Sequence, residues 1–230
     1  MSVKNISLTL IVAATTKNGI GKDGSLPWPM LKKEMAYFTR VTKRVPQPTN
    51  TGSLQSDALK QTILDGTRRN AVIMGRKTWD SIPPKFRPLK ERTNIVISSR
   101  SRDQLDGVTD EVVVAADITS GLDALETTVA DGKALPAGRA IVIGGSSIYK
   151  SALELSQTKH ILLTRIHEDY ECDTFFPETL KDESKSETGW QRSSLQRLKE
   201  FVGEDVPEGL VSDTGDGQEV NFEYQLYERT

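Results

Sequence analysis

Cysteine and histidine are nearly missing from this chain. Cys172 is the only cysteine among 230 residues, and there are two histidines. A lone thiol excludes an internal disulfide framework and fits a reducing compartment. So few soft or imidazole ligands, far apart in sequence, offer no zinc-site spacing, and no metal is expected. An excess of charge of one sign is also missing: 30 Lys and Arg against 32 Asp and Glu leave a formal net charge of -2. That balance excludes a nucleic-acid or membrane-surface protein whose affinity is mainly electrostatic. No apolar run approaches the ~20 residues of a membrane-spanning helix. The apolar run over 8–14 is short, has no basic leader and passes directly into Lys17-Asn18-Gly19. It reads as a buried strand and not as a signal peptide. The expectation is a cytoplasmic protein of one domain, with no nucleic acid and no membrane as partner.

What is present alternates between strand and helix patterns. Strands are expected over 6–14, 71–74, 92–99, 111–115 and 139–143, and helices over 30–41, 119–129 and 148–155. Two closely spaced strands over 159–166 and 170–176 read as a hairpin. The loosely alternating 190–202 reads as an edge strand, the Gly-, Asp- and Glu-rich 203–217 as a solvated loop, and 219–227 as a closing antiparallel strand. Residues 46–65 are polar and turn-rich and read as a surface insertion with a short helical piece over 58–64; 181–217 reads as a second insertion. The fold class is therefore α/β: a single domain with a central, mostly parallel twisted sheet, closed by an antiparallel C-terminal strand, with helices on both faces.

Several strand ends carry ligand-binding chemistry. Asn18 to Ser25 holds three glycines, a loop able to approach or cover a ligand, or simply a long turn. Gly75-Arg76-Lys77-Thr78 follows a strand and opens a helix, Ser98-Ser99-Arg100 follows another, and Gly144-Gly145-Ser146-Ser147 follows a third. Backbone N–H groups at helix starts and nearby cations suit phosphate. Each signal is weak alone, since a surface Arg-Lys pair is usually a solvated face. Two glycine turns at the ends of different strands of one sheet are stronger, because ligands of open α/β sheets sit there. No dinucleotide fingerprint Gly-x-Gly-x-x-Gly is read after a strand, which argues against an ordinary Rossmann dehydrogenase.

The helix over 30–41 is the most informative. Pro27 and Pro29 bracket Trp28, and Pro29 suits a first helical turn. Leu31, Met35 and Phe38 fall on one stripe, Lys32 and Lys33 point away, and Glu34 sits at the edge of the apolar face. A carboxylate there is either a partly exposed group paired with a lysine or an acid set in a cleft to grip a nitrogen-rich ligand. With the glycine turns, the second reading suggests a nucleotide-cofactor enzyme.

Nine motifs then occur in a telling order. They are Ile11-Val12-Ala13, Asn18-Gly19-Ile20-Gly21, Leu26-Pro27-Trp28-Pro29, Glu34, and Met74-Gly75-Arg76-Lys77-Thr78-Trp79. Ser81-Ile82-Pro83, Ile143-Gly144-Gly145-Ser146-Ser147-Ile148-Tyr149, Thr164-Arg165-Ile166 and Asp173-Thr174-Phe175-Phe176-Pro177 complete the series. The chain resembles dihydrofolate reductase over about 6–227, in its larger eukaryotic, fungal form. The two insertions depart from the common pattern.

The resemblance implies NADPH-dependent reduction of 7,8-dihydrofolate to tetrahydrofolate, by hydride transfer to pterin C6 and protonation of N5. It makes Glu34 the acid that pairs with the pterin, with Leu26 and Trp28 beside it as catalytic residues. It puts Ile11, Val12, Ala13, Met35, Phe38, Ile82, Leu89, Ile143, Tyr149 and Thr164 around the substrate, and Arg92 on its glutamate carboxylate. Cofactor contacts are implied for Ala13, Ile20, Gly24, Ser25, Gly75, Arg76, Lys77, Thr78, Ser98, Ser99, Arg100, and Gly144, Gly145, Ser146, Ser147, Ile148 and Tyr149. It further implies cis peptides at Gly144–Gly145 and Arg87–Pro88, a monomer, and antifolates as inhibitors. Other readings are a pterin- or flavin-pathway reductase of related fold, a binding protein that lost the chemistry, and an interaction module in the insertions.

Overall fold

In the computed structural model, which describes residues 6–46, 66–180 and 188–229, the first apolar run is strand β1 (Leu8–Thr15). There follow β2 (Gly19–Gly21), α1 (Lys32–Lys43), β3 (Arg69–Gly75), α2 (Arg76–Ser81), β4 (Thr93–Ile97), β5 (Val113–Ala115) and α3 (Ile118–Ala130). The second half holds β6 (Ala137–Val142), α4 (Ser146–Glu154), β7 (Thr158–Ile166), β8 (Thr174–Phe175), β9 (Gln191–Arg192), α5 (Leu195–Val202), β10 (Val211–Gly215) and β11 (Gln218–Glu228).

One sheet runs in the order β10-β11-β7-β1-β6-β3-β4-β5, with β9 beside β11. From β7 to β5 every pairing is parallel; β11 closes the other side antiparallel to β7. The central strands are apolar nearly throughout, as strands buried on both faces must be. Alternation decides which face each residue serves. Leu8, Leu10, Val12 and Ala14 pack with α3 and α4 on one face, while Ile11 packs with α1 and α5 on the other.

The order of connections opens a crevice. The chain leaves β1 through α1 to reach β3, and leaves β6 through α4 to reach β7, so the two crossovers depart in opposite directions. Such a switch point is where an open α/β sheet leaves room for ligands. The β1–β6 pairing stops at Leu10–Val142, and β6 continues instead against β3, through Ile143 N–H to Ile73 O (2.9 Å) and Gly75 N–H to Gly144 O (2.8 Å).

Several expectations are corrected. Helix α1 begins at Lys32, so Pro29 lies before its first turn, and its core-facing residues are Glu34, Tyr37, Val41 and Thr42. The expected stripe of Leu31, Met35 and Phe38 splits: Leu31 is buried, Phe38 half-buried and Met35 exposed. Strands β7 and β8 make no hairpin; β8 pairs with β2 in a separate ribbon. The expected edge strand over 190–202 is only β9, after which Leu195, Leu198, Phe201 and Val202 repeat at helical spacing and form α5. Residues 211–215, read as loop, are β10, joined to β11 by a tight turn with positive φ at Asp216 and Gly217. That Asp-Gly pair is a strong hairpin signal. The glycines Gly19, Gly21 and Gly24 do stand at Gly-x-Gly-x-x-Gly spacing, but in the β2 ribbon and its turn, not between a strand and a helix. The helical piece expected over 58–64 lies outside the described residues. Both expected cis peptides, Arg87–Pro88 and Gly144–Gly145, are present.

Candidate active site

Glu34 stands in the first turn of α1 and turns inward, only 8% exposed. Among the described residues no cation bridges it. Lys33, one candidate partner, instead places its Nζ on Ser212 O at 2.7 Å. The nearest polar group is the Thr164 hydroxyl on β7, which donates to Glu34 Oε1 at 3.4 Å. Burial raises the Glu34 carboxyl to about 7, and the Thr164 hydroxyl opposes that rise. The group is therefore poised between its two states near neutrality, as residues at functional clefts often are.

The walls of the crevice follow from the strand faces. Ile11 and Ala13 turn toward α1, with Phe38 and Ile143 packed against the same apolar cluster. Val12 points the other way, into the core with α4, which leaves only its main chain toward the crevice. Where β1 and β6 part, Tyr149 of α4 reaches across and its hydroxyl donates to Ile11 O at 2.6 Å. Trp28 is buried and meets Tyr170 edge-on at 6.1 Å, whereas Leu26 is half exposed. Ile82 and Leu89 are partly buried beside a cluster of Val72, Met74, Trp79 and Val96, which Ile143 also touches.

Arg92 marks the far end. It is buried, its Nη1 donates to Thr42 Oγ1 at 2.9 Å, and its Nε donates to Lys90 O at 3.0 Å. Among the described residues no carboxylate bridges it. Neighbouring Glu91 goes to Lys43 instead. Burial lowers the guanidinium to about 10, which leaves it charged at neutral pH and in want of an anion.

The two glycine turns meet side by side at the ends of β3 and β6. A Cβ on Gly75 would stand 2.9 Å from Ile148 Cγ1, and one on Gly144, whose φ is +114°, would press on the Tyr149 ring. A Cβ on Gly145 would stand 3.4 Å from Thr78 Oγ1, so the two turns touch. Helix α4 has no side-chain cap at Gly145, which leaves the first N–H groups of the helix without intrahelical partners. Arg76 is engaged by Asp80 one turn on, at 2.7 Å; Lys77 is exposed. Ser98 is half-buried past the end of β4, and Ser99 and Arg100 are exposed there, with the Arg100 N–H on Ser98 Oγ at 3.0 Å.

The β2–β8 ribbon is tied to the same region, because Ser146 Oγ donates to Phe175 O at 2.6 Å. Ile20 is half-buried in that ribbon. Gly24 and Ser25 lie on its exposed turn, which Lys22 and Ser25 close through paired 2.9 Å backbone bonds. Ser147 is exposed on the first turn of α4.

Three contributors escape sequence reasoning. Thr42 is fully buried and supports Arg92, yet its polarity in α1 gave no periodic signal. Asn94 holds both the N–H and the C=O of Leu89 at 2.9 Å; a polar residue inside a buried strand was the available clue. Tyr224 lies opposite Thr164 in the β7–β11 register and stacks on Tyr37 at 4.0 Å, a pairing that depends on long-range topology. The described residues hold no cluster of His, Cys, Asp and Glu fit for a metal ion, and no helix long and apolar enough to cross a membrane.

Comparison with known proteins bears on the family of the whole chain. A family model described as dihydrofolate reductase matches residues 57–197. A dihydrofolate reductase of Pneumocystis carinii is 38% identical over 97% of this chain and 97% of its own length, and so spans Glu34 as well. One from Schizosaccharomyces pombe is 41% identical over 96% of this chain, which corresponds to 46% of that longer protein. The solved Schistosoma mansoni dihydrofolate reductase superposes with a TM-score of 0.67 at 30% identity, over 98% of this chain and 99% of its own. Matches of that length and identity, on the same fold, mean that the chain belongs to the dihydrofolate reductase family.

Proposed function

We propose that the protein reduces 7,8-dihydrofolate to 5,6,7,8-tetrahydrofolate, with NADPH as the source of the hydride. The observation that supports this best is Glu34, an acid without a cationic partner among the described residues, buried with a hydroxyl behind it and Phe38 one turn away. A carboxylate so placed suits a planar ring that offers an N–H and an amino group side by side. Ile11, Ala13 and Phe38 supply apolar faces for that ring. Arg92, charged and bridged by no carboxylate among the described residues, suits the carboxylate of the substrate's glutamate tail.

Fit to the cofactor rests on the paired turns. Gly75 and Gly144 let Ile148 and Tyr149 pack directly on the turns, which sets the uncapped start of α4 beside the end of β3, where its free N–H groups suit a diphosphate. The residues that would hold NADPH are Gly144 to Ile148 and Arg76, Lys77 and Thr78, with Arg76 and Lys77 favouring the extra phosphate. NADPH, when bound, supplies a hydride to pterin C6. The chain's own part is to bind and orient. Glu34 fixes the ring, and N5 takes its proton from water, since no second acid is matched to that atom. In this reading the protein acts as a monomer. Antifolates with a basic diamino ring bind at Glu34, where a protonated ring meets a carboxylate.

The test is absorbance at the NADPH band. It should decay when protein and dihydrofolate are both present and stay constant when either is omitted. Binding of NADPH without turnover of dihydrofolate would instead indicate a binding protein that kept the fold and lost the chemistry.

A further inference from the structure

Helix α1 starts without a cap of its own. Leu31 occupies the N-cap position and its side chain can accept nothing. The first N–H groups of a helix need acceptors, and a missing cap typically costs ~1 kcal/mol. The acceptor comes from the other end of the chain. Asp213, on β10, takes the Lys33 N–H on its Oδ2 at 2.6 Å, the bond a local N-cap side chain would make. Its other oxygen takes the Thr214 N–H at 2.9 Å, which holds the carboxylate in that orientation. A negative group there also complements the positive end of the helix.

Two further ties run from the same hairpin to the same turn. Lys33 Nζ donates to Ser212 O at 2.7 Å, and the Tyr224 hydroxyl lies 3.4 Å from Lys33 O. Contact is close enough to forbid a side chain at Gly215. A Cβ there would stand 2.6 Å from Met30 O and 3.0 Å from Pro29 Cβ. Gly215 is absent from the positive-φ positions, so close approach, and not backbone conformation, demands glycine.

We propose that the β10–β11 hairpin is a clamp that positions Glu34, with Asp213 as its positioning residue and Gly215 as the gap that lets it close. Glu34 is the residue after Lys33. The clamp therefore sets the height and rotation of the acid against Thr164, which β11 flanks through Tyr224. Small displacements of a binding group cost much in rate, because the reacting geometry is narrow. The proposal rests on Glu34 being the substrate-binding acid.

The test uses the full chain with Asp213→Ala, Asp213→Asn, Gly215→Ala and Glu34→Gln, assayed with NADPH and dihydrofolate and titrated separately with NADPH alone. Asp213→Ala should lower kcat/KM for dihydrofolate about tenfold while NADPH affinity stays within about twofold. Asp213→Asn keeps an acceptor oxygen and should recover activity to within about threefold of the parent. Gly215→Ala should repeat the Asp213→Ala pattern; if it fails to fold, the Asp213 pair still decides. Normal dihydrofolate kinetics in Asp213→Ala, beside a damaged Glu34→Gln, would overturn the clamp alone. Equal losses for substrate and NADPH would overturn it too, by showing a general loss of structure. Normal kinetics in Glu34→Gln would instead remove the active-site reading and the clamp with it.

Discussion

Glu34 is a carboxylate in surroundings that favour its neutral form, and Arg92 is a buried cation that no carboxylate bridges among the described residues. Among the described residues neither is bridged by a group of opposite charge, and the proposed substrate would supply a partner to each. Glu34→Gln keeps the volume and the helix but loses the charge. Charge-assisted hydrogen bonds are about twice as strong as neutral ones. We expect kcat/KM for dihydrofolate to fall tenfold to a thousandfold, roughly 1.4–4 kcal/mol, with NADPH affinity almost unchanged. Steady-state kinetics and a cofactor titration check both halves. Arg76 is engaged by Asp80, so the 2′-phosphate of the proposed cofactor would have to compete for it. Arg76→Gln should narrow the preference for NADPH over NADH; an unchanged ratio of the two kcat/KM values would remove Arg76 from the 2′-phosphate.

Among the elements, the β2–β8 ribbon depends on one close approach. A Cβ on Gly19 would stand 2.3 Å from Cys172 Sγ and 2.8 Å from Cys172 Cβ, nearer than packed atoms allow. Gly19→Ala should therefore push β8 away from β2, at about 1–3 kcal/mol of stability. The ribbon is held at its two ends, by the Arg165 guanidinium on Asn18 Oδ1 (3.1 Å) just before β2 and by Ser146 on Phe175 O in β8. Displacement should thus reach the start of α4 and weaken NADPH binding. The check is a double-mutant cycle with Cys172→Gly, which clears the space. Urea midpoints that add without coupling would show that the two side chains do not compete.

For the molecule as a whole, a buried and a half-buried group pull stability in opposite directions with pH. Burial lowers His160, packed on Phe201 at 4.6 Å, from 6.5 to about 4, and nearby Glu228 opposes that fall. It is neutral at pH 7, so its 3.5 Å approach to Glu228 is no ion pair there. As pH falls from 6.5 toward 4, the unfolded chain takes a proton that the folded chain refuses, and stability is lost. Glu34 is the reverse. Its folded value is raised from 4.5 to about 7, so its contribution is full below 4.5 and is lost as pH rises through 7. Each effect is worth roughly 3 kcal/mol at most. Urea unfolding of the ligand-free protein should show Glu34→Gln gaining stability over the parent at pH 8 and little at pH 4.5. His160→Gln should lose less than the parent between pH 6.5 and 4. Parallel pH curves for parent and variants would contradict both assignments.

The alternation of apolar runs and the glycine-led strand ends were enough to specify an α/β sheet with close backbone turns at its carboxyl edge, because burial on two faces and close backbone approach are local demands on residue type. The placement of Arg76 at a helix start, of Gly144 in a tight turn and of Glu34 on an apolar face was legible for the same reason. Residues 190–217 were misread because a short amphipathic helix and a tight hairpin must be distinguished there by small cues: helical spacing at Leu195, Leu198 and Phe201, and the Asp216-Gly217 turn. What lies beyond local cues is pairing. That β8 joins β2 and not β7, that Thr42 meets Arg92, and that Asp213 caps a helix 180 residues away are decided by which surfaces the sheet order brings together. The raised carboxyl of Glu34 belongs there as well. Its residue type names the charge, but only the packing of α1 against β7 and β11 removes the water that would hold it at 4.5.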